Sequence, residues 1–290
     1  MSNRVMMITG MHRSGTSLIS QWLYRCGLDL GNKLVTADSG NEDGHFEDSE
    51  FVELHSRLLK KRKLSKWGFV EKQIDHFNSH ESAAVESLVR RKNAEHEQWG
   101  WKDPRTALFL PLYEKVLPGA NTLVIVRGYK SSVNSLLLRD YKMQEESYKR
   151  KTGLSKLKWN LFKRIPVEEH FRRKAERYLQ TWICYHEQIL DHIHRRPPGR
   201  TLLVHYDDLV KYDDLYFNYL RSTWQMEIEF VPFKTIFKPS LLSEVQDITP
   251  YIGNKWLLQK AAALNQQFKI LKDDSLAMIG SGMPVKPCLR

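Results

Sequence analysis

The chain has 290 residues, of which 41% are hydrophobic, with three cysteines and a formal net charge of +11. These values exclude a disordered chain and a disulfide-stabilised scaffold, and no apolar stretch approaches the roughly 18–20 residues of a membrane span. With no signal peptide before the first apolar run, we expect a reduced, cytoplasmic protein whose basic surface suits polyanionic ligands.

The first element in the chain is an apolar run of strand length at residues 5–9, which leads into the loop Gly10-Met11-His12-Arg13-Ser14-Gly15-Thr16-Ser17. Apolar residues at helical spacing follow the loop and predict a helix that ends near Gly27. A strand, a glycine-bounded loop and a helix N-terminus in this order form a phosphate cradle, because their backbone N–H groups converge on an anion. The spacing is that of a P-loop, but Thr16 stands where a lysine is usual, and the basic residue is Arg13.

A polar stretch, residues 29–48, follows this helix and ends in an acidic cluster. It predicts a long loop, and long ordered loops in compact domains usually have a function. Apolar spacing then predicts one helix from Phe51 to the basic run at residues 60–63, and a second, polar helix is predicted over residues 81–96. The cations of the basic run suit the C-terminus of a helix and need no separate function.

The rest of the chain alternates strand-like and helix-like patterns. Residues 99–104 predict a short strand ended by proline, and the apolar runs at residues 121–126 and 201–206 predict buried parallel strands. Each of these three segments precedes residues at helical spacing, and the first of these helices is predicted over residues 106–116. The alternation predicts an α/β fold in which residues 1–290 form a single domain with a central parallel sheet covered by helices on both faces.

A basic segment at about residues 141–170 is predicted to be a helical insertion in this fold. Its apolar residues lie at helical intervals among many cations. Three interpretations remain open: a lid over an anionic acceptor, a helix in peripheral contact with a membrane, or a helix packed on the sheet with solvated lysines. We expect this segment, together with the loop at residues 29–48, to bind the second substrate, the one that accepts a group from a phosphate-containing donor.

A second phosphate-binding motif follows the run at residues 121–126. Arg127 comes directly after that predicted strand, and Ser135 lies eight residues further on, in the next helix. Ligands of open α/β sheets bind at the carboxyl ends of the strands, so both side chains are expected to face one crevice. An arginine fork and a serine hydroxyl together suit a phosphate group.

Together the two motifs resemble the sulfotransferases that use 3′-phosphoadenosine 5′-phosphosulfate (PAPS), in particular a bacterial-type branch of that family. The resemblance runs from about residue 5 to residue 209 and includes segments 44–48 and 101–105. It implies a sulfotransferase-like P-loop fold, PAPS as the sulfuryl donor, a hydroxyl acceptor and no metal. It also implies that the first motif holds the 5′-phosphosulfate and the second the 3′-phosphate. The cofactor-binding residues are then Arg13, Ser14, Gly15, Thr16, Ser17, Arg127 and Ser135.

The chemistry of sulfuryl transfer agrees with this resemblance. A sulfuryl group carries less negative charge than a phosphoryl group and needs no divalent metal, so Thr16 in place of lysine is tolerable here and harmful in an ATPase. Arg13 and Lys102 supply positive charge for the transferring group, and preorganised donors of this kind contribute about 3–4 kcal/mol each. We therefore predict both as catalytic residues. The positive net charge favours an anionic or polyhydroxylated acceptor, for which a glycan or glycolipid hydroxyl is the simplest choice.

The acceptor hydroxyl must also lose its proton, which requires a carboxylate or a histidine within hydrogen-bond reach. Glu47 is the first choice for this base, Asp48 the second and His12 the third. Both carboxylates are also candidates for capping the helix that follows, and the histidine for packing against a neighbouring strand. Asp103 is followed by proline and is predicted to orient a neighbouring basic side chain.

Two other classes of function remain as alternatives. One is a P-loop kinase or NTPase with Asp207 or Asp208 as its magnesium ligand. Thr16 and the arginine–serine pair argue against it. The other is a non-catalytic relative that binds an anionic polymer. The presence of Arg13, Lys102 and Glu47 argues against it. No helix-turn-helix, zinc-finger or RNA-recognition motif is present in the sequence, so no nucleic-acid partner is expected.

Overall fold

A sheet of four parallel strands forms the centre of the computed structural model, which describes residues 3–35, 44–149, 167–239 and 245–281. The strands are β1 (Arg4–Gly10), β2 (Gln98–Lys102), β3 (Asn121–Ile125) and β4 (Thr201–Val204), and their order in the sheet is β2-β1-β3-β4. Met7 of β1 pairs with Trp101 on one side and with Thr122 on the other. The predicted α/β fold with a central parallel sheet is confirmed.

Helices cover both faces of this sheet. They are α1 (Thr16–Arg25), α2 (Ser49–Lys61), α3 (Ser79–Glu95), α4 (Leu110–Val116), α5 (Tyr129–Lys149), α6 (Val167–Arg195), α7 (Tyr206–Ser222) and α8 (Lys255–Ser281). Successive side chains of a strand point to opposite faces, so Val5 and Met7 pack with α2 to α6 and most of α8. Met6 and Ile8 pack with α1, α7 and the end of α8. The sheet therefore separates two hydrophobic cores.

Two elements differ in their boundaries from the sequence prediction. The helix predicted over residues 106–116 is a 3₁₀ turn, Pro104–Phe109, followed by α4. Pro111 has no N–H group and fits only the first turn of an α-helix, so the α-helical part begins next to it. The last strand ends at Val204 because the side chain of His205 caps α7, accepting a hydrogen bond of 3.2 Å from the backbone N–H of Asp207.

Several other sequence features have a plain place in the fold. Cys26 and Cys184 are free and buried, and burial raises their pKa values to about 11 and about 12. Trp101 stacks on Phe51 with 4.3 Å between ring centroids, inside the core. Most of the predicted basic insertion, and Cys288, lie outside the described residues. Within the described ranges, none of the helices is both long and apolar enough to cross a bilayer.

Candidate active site

Seven of the nine sequence-predicted site residues line a cleft of about 190 Å³ at the carboxyl edge of the sheet. Ser14 and Ser135 are buried and do not line it, and Oγ of Ser14 donates a hydrogen bond of 2.7 Å to the backbone oxygen of Met11. Strand β1 lies between β2 and β3, so the loops after these three strands diverge around one crevice, where ligands of α/β sheets bind. A larger depression of about 1260 Å³ lies at the opposite, amino edge, around Arg4, Asn121 and Arg200. It contains none of the candidate residues, so the smaller cleft is the candidate active site.

The loop between β1 and α1 has the shape of an anion cradle. Gly10 is required where the loop begins, because a Cβ atom there would lie 2.3 Å from the backbone oxygen of Ile125. Arg13 and Gly15 have positive φ angles of 67° and 96°, which turn the chain sharply into the helix. No side chain of the described residues caps the N-terminus of α1, so the N–H groups of its first turn face the cleft for a ligand.

The two phosphate-binding motifs, which are more than 100 residues apart in the sequence, are in contact. The Nη1 atom of Arg127 donates a hydrogen bond of 2.9 Å to the backbone oxygen of Arg13, and Nε of Arg13 donates one of 3.0 Å to Oγ of Ser135. The guanidinium of Arg127 lies 6.0 Å from the ring centre of Tyr206. Its Nε atom is buried and has no hydrogen-bond partner among the described residues. This cationic cluster therefore has donor capacity left for an anion.

Lys102 and Glu47 form an ion pair on the other side of the loop. The Nζ atom of Lys102 lies 2.7 Å from Oε1 of Glu47, 3.1 Å from Oγ of Ser17 and 3.0 Å from the backbone oxygen of His45. These three acceptors match the three N–H bonds of the ammonium group. The lysine is 1% exposed, whereas the carboxylate retains 13% exposure towards the cleft. A carboxylate and an ammonium group thus stand together beside the anion cradle.

A buried network supports this pair; its contact between Asp103 and a neighbouring basic side chain was predicted, whereas its histidine and tyrosine were not. Nη2 of Arg105 lies 3.8 Å from Oε2 of Glu47, and Nε of the same arginine donates a hydrogen bond of 2.8 Å to Asp103. The other oxygen of Asp103 lies 2.7 Å from Nδ1 of His55, whose Nε2 lies 2.8 Å from Oη of Tyr113. His55 falls on the apolar face of α2, at no spacing that links it to the loop motifs. Its role could be found only from the fold.

The protonation states in this network follow from burial and charge. Burial alone raises the pKa of Asp103, but the Arg105 charge and His55 more than offset it and hold that pKa far below its usual range. Burial lowers the pKa of His55 despite the nearby carboxylate, so its imidazole is neutral at neutral pH. The ionised Asp103 then accepts a hydrogen bond from Nδ1–H of His55, and Nε2 accepts one from Tyr113. Asp103, His55 and Tyr113 therefore each have one fixed hydrogen-bonding role in this network.

Asp48, the second choice for the base, has its carboxylate occupied elsewhere. It caps α2 by accepting a hydrogen bond of 2.9 Å from the backbone N–H of Glu50, and it forms a buried ion pair of 2.7 Å with Lys92 of α3. The aspartate is 1% exposed and does not line the cleft. The structure therefore favours the capping interpretation, in which Asp48 fixes the backbone that presents Glu47.

Replacing Lys92 by methionine is expected to lower the free energy of unfolding by about 3–5 kcal/mol, because it leaves the Asp48 carboxylate buried without a counter-charge. Urea titration measures this loss. Arg91→Met is the matched control, since Arg91 pairs at the surface with Glu50 and is expected to cost no more than about 1 kcal/mol. Equal losses in the two variants would contradict a special role for the buried pair.

His12, the third choice, lies at the back of the cleft. Its ring packs 5.3 Å from Phe69 and 5.9 Å from Tyr185, and its Nε2 atom is buried without a hydrogen-bond partner among the described residues. Burial, with a contribution from the charge of Arg105, lowers its pKa to about 3. An imidazole with so low a pKa holds a proton poorly, which argues against His12 as the base.

The residues that a magnesium-dependent enzyme would need are placed differently. Asp208 joins the cap of α7 and pairs with Lys272 at 3.1 Å, and Asp207 lies beside His205 at the start of the same helix. Neither lines the cleft. In the described ranges there is no cluster of three or more histidine, cysteine or carboxylate side chains that could hold a metal ion. The kinase alternative gains no support from this geometry.

Comparisons with known proteins give a family and a fold. A family model described as the sulfotransferase family matches residues 6–215. The chain is similar to the sulfotransferase STF9 from Mycobacterium avium, with a TM-score of 0.57, 13% identity, and coverage of 92% of this chain and 76% of that one. It also matches a sulfotransferase domain from the curacin biosynthetic pathway, with a TM-score of 0.47, 14% identity, and coverage of 91% and 98%. No curated protein sequence matches significantly. At these identities the structural likeness to STF9 shows the fold alone.

Proposed function

Because the chain belongs to the sulfotransferase family, we propose that it transfers a sulfuryl group from PAPS to an acceptor hydroxyl, such as that of a glycan or glycolipid. One observation carries this proposal. The cluster of Arg13, Arg127 and Ser135 lies on one side of an anion cradle, and the Lys102–Glu47 pair lies on the other. The first group suits a nucleotide with two separate phosphate groups, and the second suits proton removal beside a transferring anion.

The residues of the cleft fit the donor nucleotide. The uncapped N-terminus of α1, with Thr16 and Ser17, offers N–H and hydroxyl groups to a 5′-phosphosulfate. The buried hydroxyl of Ser14 instead donates to the backbone oxygen of Met11 and holds the shape of the loop. Arg127 lines the cleft, and both Arg127 and Ser135 contact Arg13, so Arg127 offers its guanidinium to a 3′-phosphate at this end of the cleft. Tyr206 and Phe237 line the same cleft and stack on each other at 6.0 Å, which provides an aromatic wall for a purine base. The donor would therefore extend from the cradle towards β3.

In the proposed reaction Glu47 takes the proton from the acceptor hydroxyl. The acceptor oxygen bonds to sulfur while the bond from sulfur to the bridging oxygen of the 5′-phosphate breaks, giving a sulfate ester and adenosine 3′,5′-bisphosphate. Lys102 and Arg13 stabilise the charge on the sulfuryl oxygens and on the leaving phosphate. Since Lys102 already has three acceptors, it must exchange one of them to reach the transferring group. Arg105 remains beside Glu47 during that exchange.

A thermal-shift comparison of adenosine 3′,5′-bisphosphate with Mg-ATP tests the donor class. A nucleotide at a hundredfold excess over its Kd stabilises the folded protein by about 2.7 kcal/mol. We expect the bisphosphate to raise Tm by about 5–10 °C and Mg-ATP to raise it much less. A larger shift with Mg-ATP would favour the kinase alternative. No shift with either nucleotide would contradict a nucleotide site in this cleft.

A further inference from the structure

The end of α2 and the segment that follows it, residues 60–72, contact Arg105, which lies beside Glu47. Nη1 of Arg105 donates a hydrogen bond of 3.2 Å to the backbone oxygen of Lys66. At Gly68, which has a φ of +79°, a Cβ atom would lie 2.7 Å from Cγ of Arg105 and 2.5 Å from Oη of Tyr185. The backbone next to Trp67 therefore packs so closely on Arg105 that only glycine fits at position 68. Arg105 in turn lies 3.8 Å from Glu47.

The sheet order puts this segment on the side away from the proposed nucleotide. Strands β2 and β3 flank β1 on opposite sides. Arg127 follows β3, whereas Lys102 ends β2 and Arg105 comes three residues later. If the donor extends from the cradle to Arg127, the free approach to Glu47 lies on the β2 side. Lys66 and Gly68 contact Arg105 on that side, so the segment at residues 60–72 lies beside this approach.

The segment carries a strong positive charge. Residues 60–72 include six basic residues and one acidic residue. Arg62 is paired with Glu81, and Glu71 with Arg177. The five lysines are exposed and form no ion pair with the described residues, and they are Lys60, Lys61, Lys63, Lys66 and Lys72. An acceptor that binds here with favourable electrostatics must be anionic.

Trp67 adds a flat apolar surface to this charge. Its side chain is 59% exposed, and Nζ of Lys66 lies 4.6 Å from the centre of its ring. An exposed indole with an ammonium group on it suits a ligand that combines an apolar ring face with a nearby anion. Sugar rings with a carboxylate or sulfate substituent have this combination, together with the hydroxyl groups that the reaction needs.

We propose that Trp67 and Lys66 form a subsite for an acidic glycan, in which one sugar ring stacks on the indole and its anionic group lies near the lysine. The inference rests on the proposed function, because it assigns a substrate class to the same site. Glu47 is recessed at 13% exposure, whereas Trp67 stands at the surface. A recessed carboxylate and an exposed indole favour a narrow oligosaccharide over a flat membrane surface as the ligand of both.

The test is calorimetric titration of the full chain, first loaded with adenosine 3′,5′-bisphosphate, with two sugar chains. One is the hyaluronan hexasaccharide, which carries a carboxylate on every second ring, and the other is neutral chitohexaose. We expect the acidic chain to bind and Trp67→Ala to weaken it by about tenfold or more. Lys66→Gln is expected to weaken the acidic chain and to reduce the salt dependence of its binding, because exposed charge pairs are screened by salt.

A matched control is available on α8. Trp256 is 58% exposed, and Nζ of Lys260 lies 4.9 Å from its ring, but that lysine pairs with Glu187 of α6. Trp256→Ala is expected to leave hexasaccharide binding unchanged. Both tryptophans are largely exposed, so neither substitution should alter Tm. Tm is measured on the same samples, and a fall in Tm would show that a variant is destabilised.

The possible outcomes separate the subsite from the proposed function. Equal effects of the two tryptophan variants, or no binding of the hexasaccharide to the loaded protein, would overturn the subsite. Co-sedimentation with phosphatidylserine vesicles that requires Trp67, without hexasaccharide binding, would overturn it in favour of a membrane surface. Hexasaccharide binding that requires Trp67, in a protein that does not bind the bisphosphate, would leave the subsite standing and remove the proposed donor.

Discussion

Replacing Glu47 by glutamine is expected to lower turnover by about 10²–10⁴-fold, with the affinity for adenosine 3′,5′-bisphosphate nearly unchanged. The amide keeps the shape of the side chain and an oxygen for Lys102, but it cannot take a proton from the acceptor. The carboxylate faces the cleft on the β2 side, away from Arg127. Its replacement should therefore leave the affinity for the nucleotide nearly unchanged. Steady-state turnover and calorimetric titration of the bisphosphate measure the two quantities.

The control for this change is Glu53→Gln, on the exposed face of α2. It removes the same charge within a few residues of the site and is expected to leave turnover unchanged. Near-full activity of Glu47→Gln together with a loss in His12→Ala would move the base to His12, in spite of its low pKa. Activity of Glu47→Gln with no loss in His12→Ala would mean that neither group takes the proton.

The strands and the phosphate cradle could be predicted because they depend on local patterns. An apolar run of four to six residues between polar segments is enough to indicate a buried strand, and glycines at fixed spacing are enough to indicate the loop. Arg127 and Ser135 were predicted to share a crevice from the rule that ligands bind at the carboxyl ends of parallel strands. The structure places both beside Arg13, and the direct bond from Arg13 to Ser135 is a detail beyond that rule.

The side-chain networks could not be predicted, since they join residues that are distant in sequence. Lys92 reaches Asp48 from a different helix, and nothing in the pattern of α3 distinguishes this lysine from its solvated neighbours. His55 contacts Asp103 only because α2 packs against the end of β2. The sequence predicts the basic run at residues 60–63 as a helix terminus alone, because the contact of the nearby Lys66 with Arg105 is a property of the fold.

The two sides of the cradle have different electrostatic designs. Around Glu47 the charges are paired, with Lys102 and Arg105 beside the carboxylate and Asp103 beside Arg105. A nearly neutral cluster of this kind can move a proton without a large change in solvation. Around Arg127 no carboxylate of the described residues forms an ion pair with the guanidinium, so the local charge is positive. Such a site is completed by an anionic ligand, in agreement with the proposed 3′-phosphate.

Replacing Arg127 by alanine is accordingly expected to weaken the binding of adenosine 3′,5′-bisphosphate about 10–100-fold, and that of adenosine 5′-phosphate much less. Hydrogen bonds to charged groups contribute roughly 1.5–3 kcal/mol, which corresponds to this range. Arg127 also donates a hydrogen bond to the backbone oxygen of Arg13, so a small loss of affinity for both nucleotides is expected from loosening of the cradle. The difference between the two losses therefore measures the contact with the 3′-phosphate.

Ser135→Ala helps to separate these two effects, because it leaves the bond from Arg127 to the cradle intact and removes only the bond from Nε of Arg13 to the serine hydroxyl. It is expected to weaken the bisphosphate by a few-fold and adenosine 5′-phosphate by less. In the double variant the two losses should not be additive if both side chains contact one phosphate, since interacting partners couple in a mutant cycle. Calorimetric titration of the four proteins with both nucleotides gives this coupling. Equal losses of the two nucleotides in Arg127→Ala, with no effect of Ser135→Ala, would show that the cluster supports the loop and binds no 3′-phosphate.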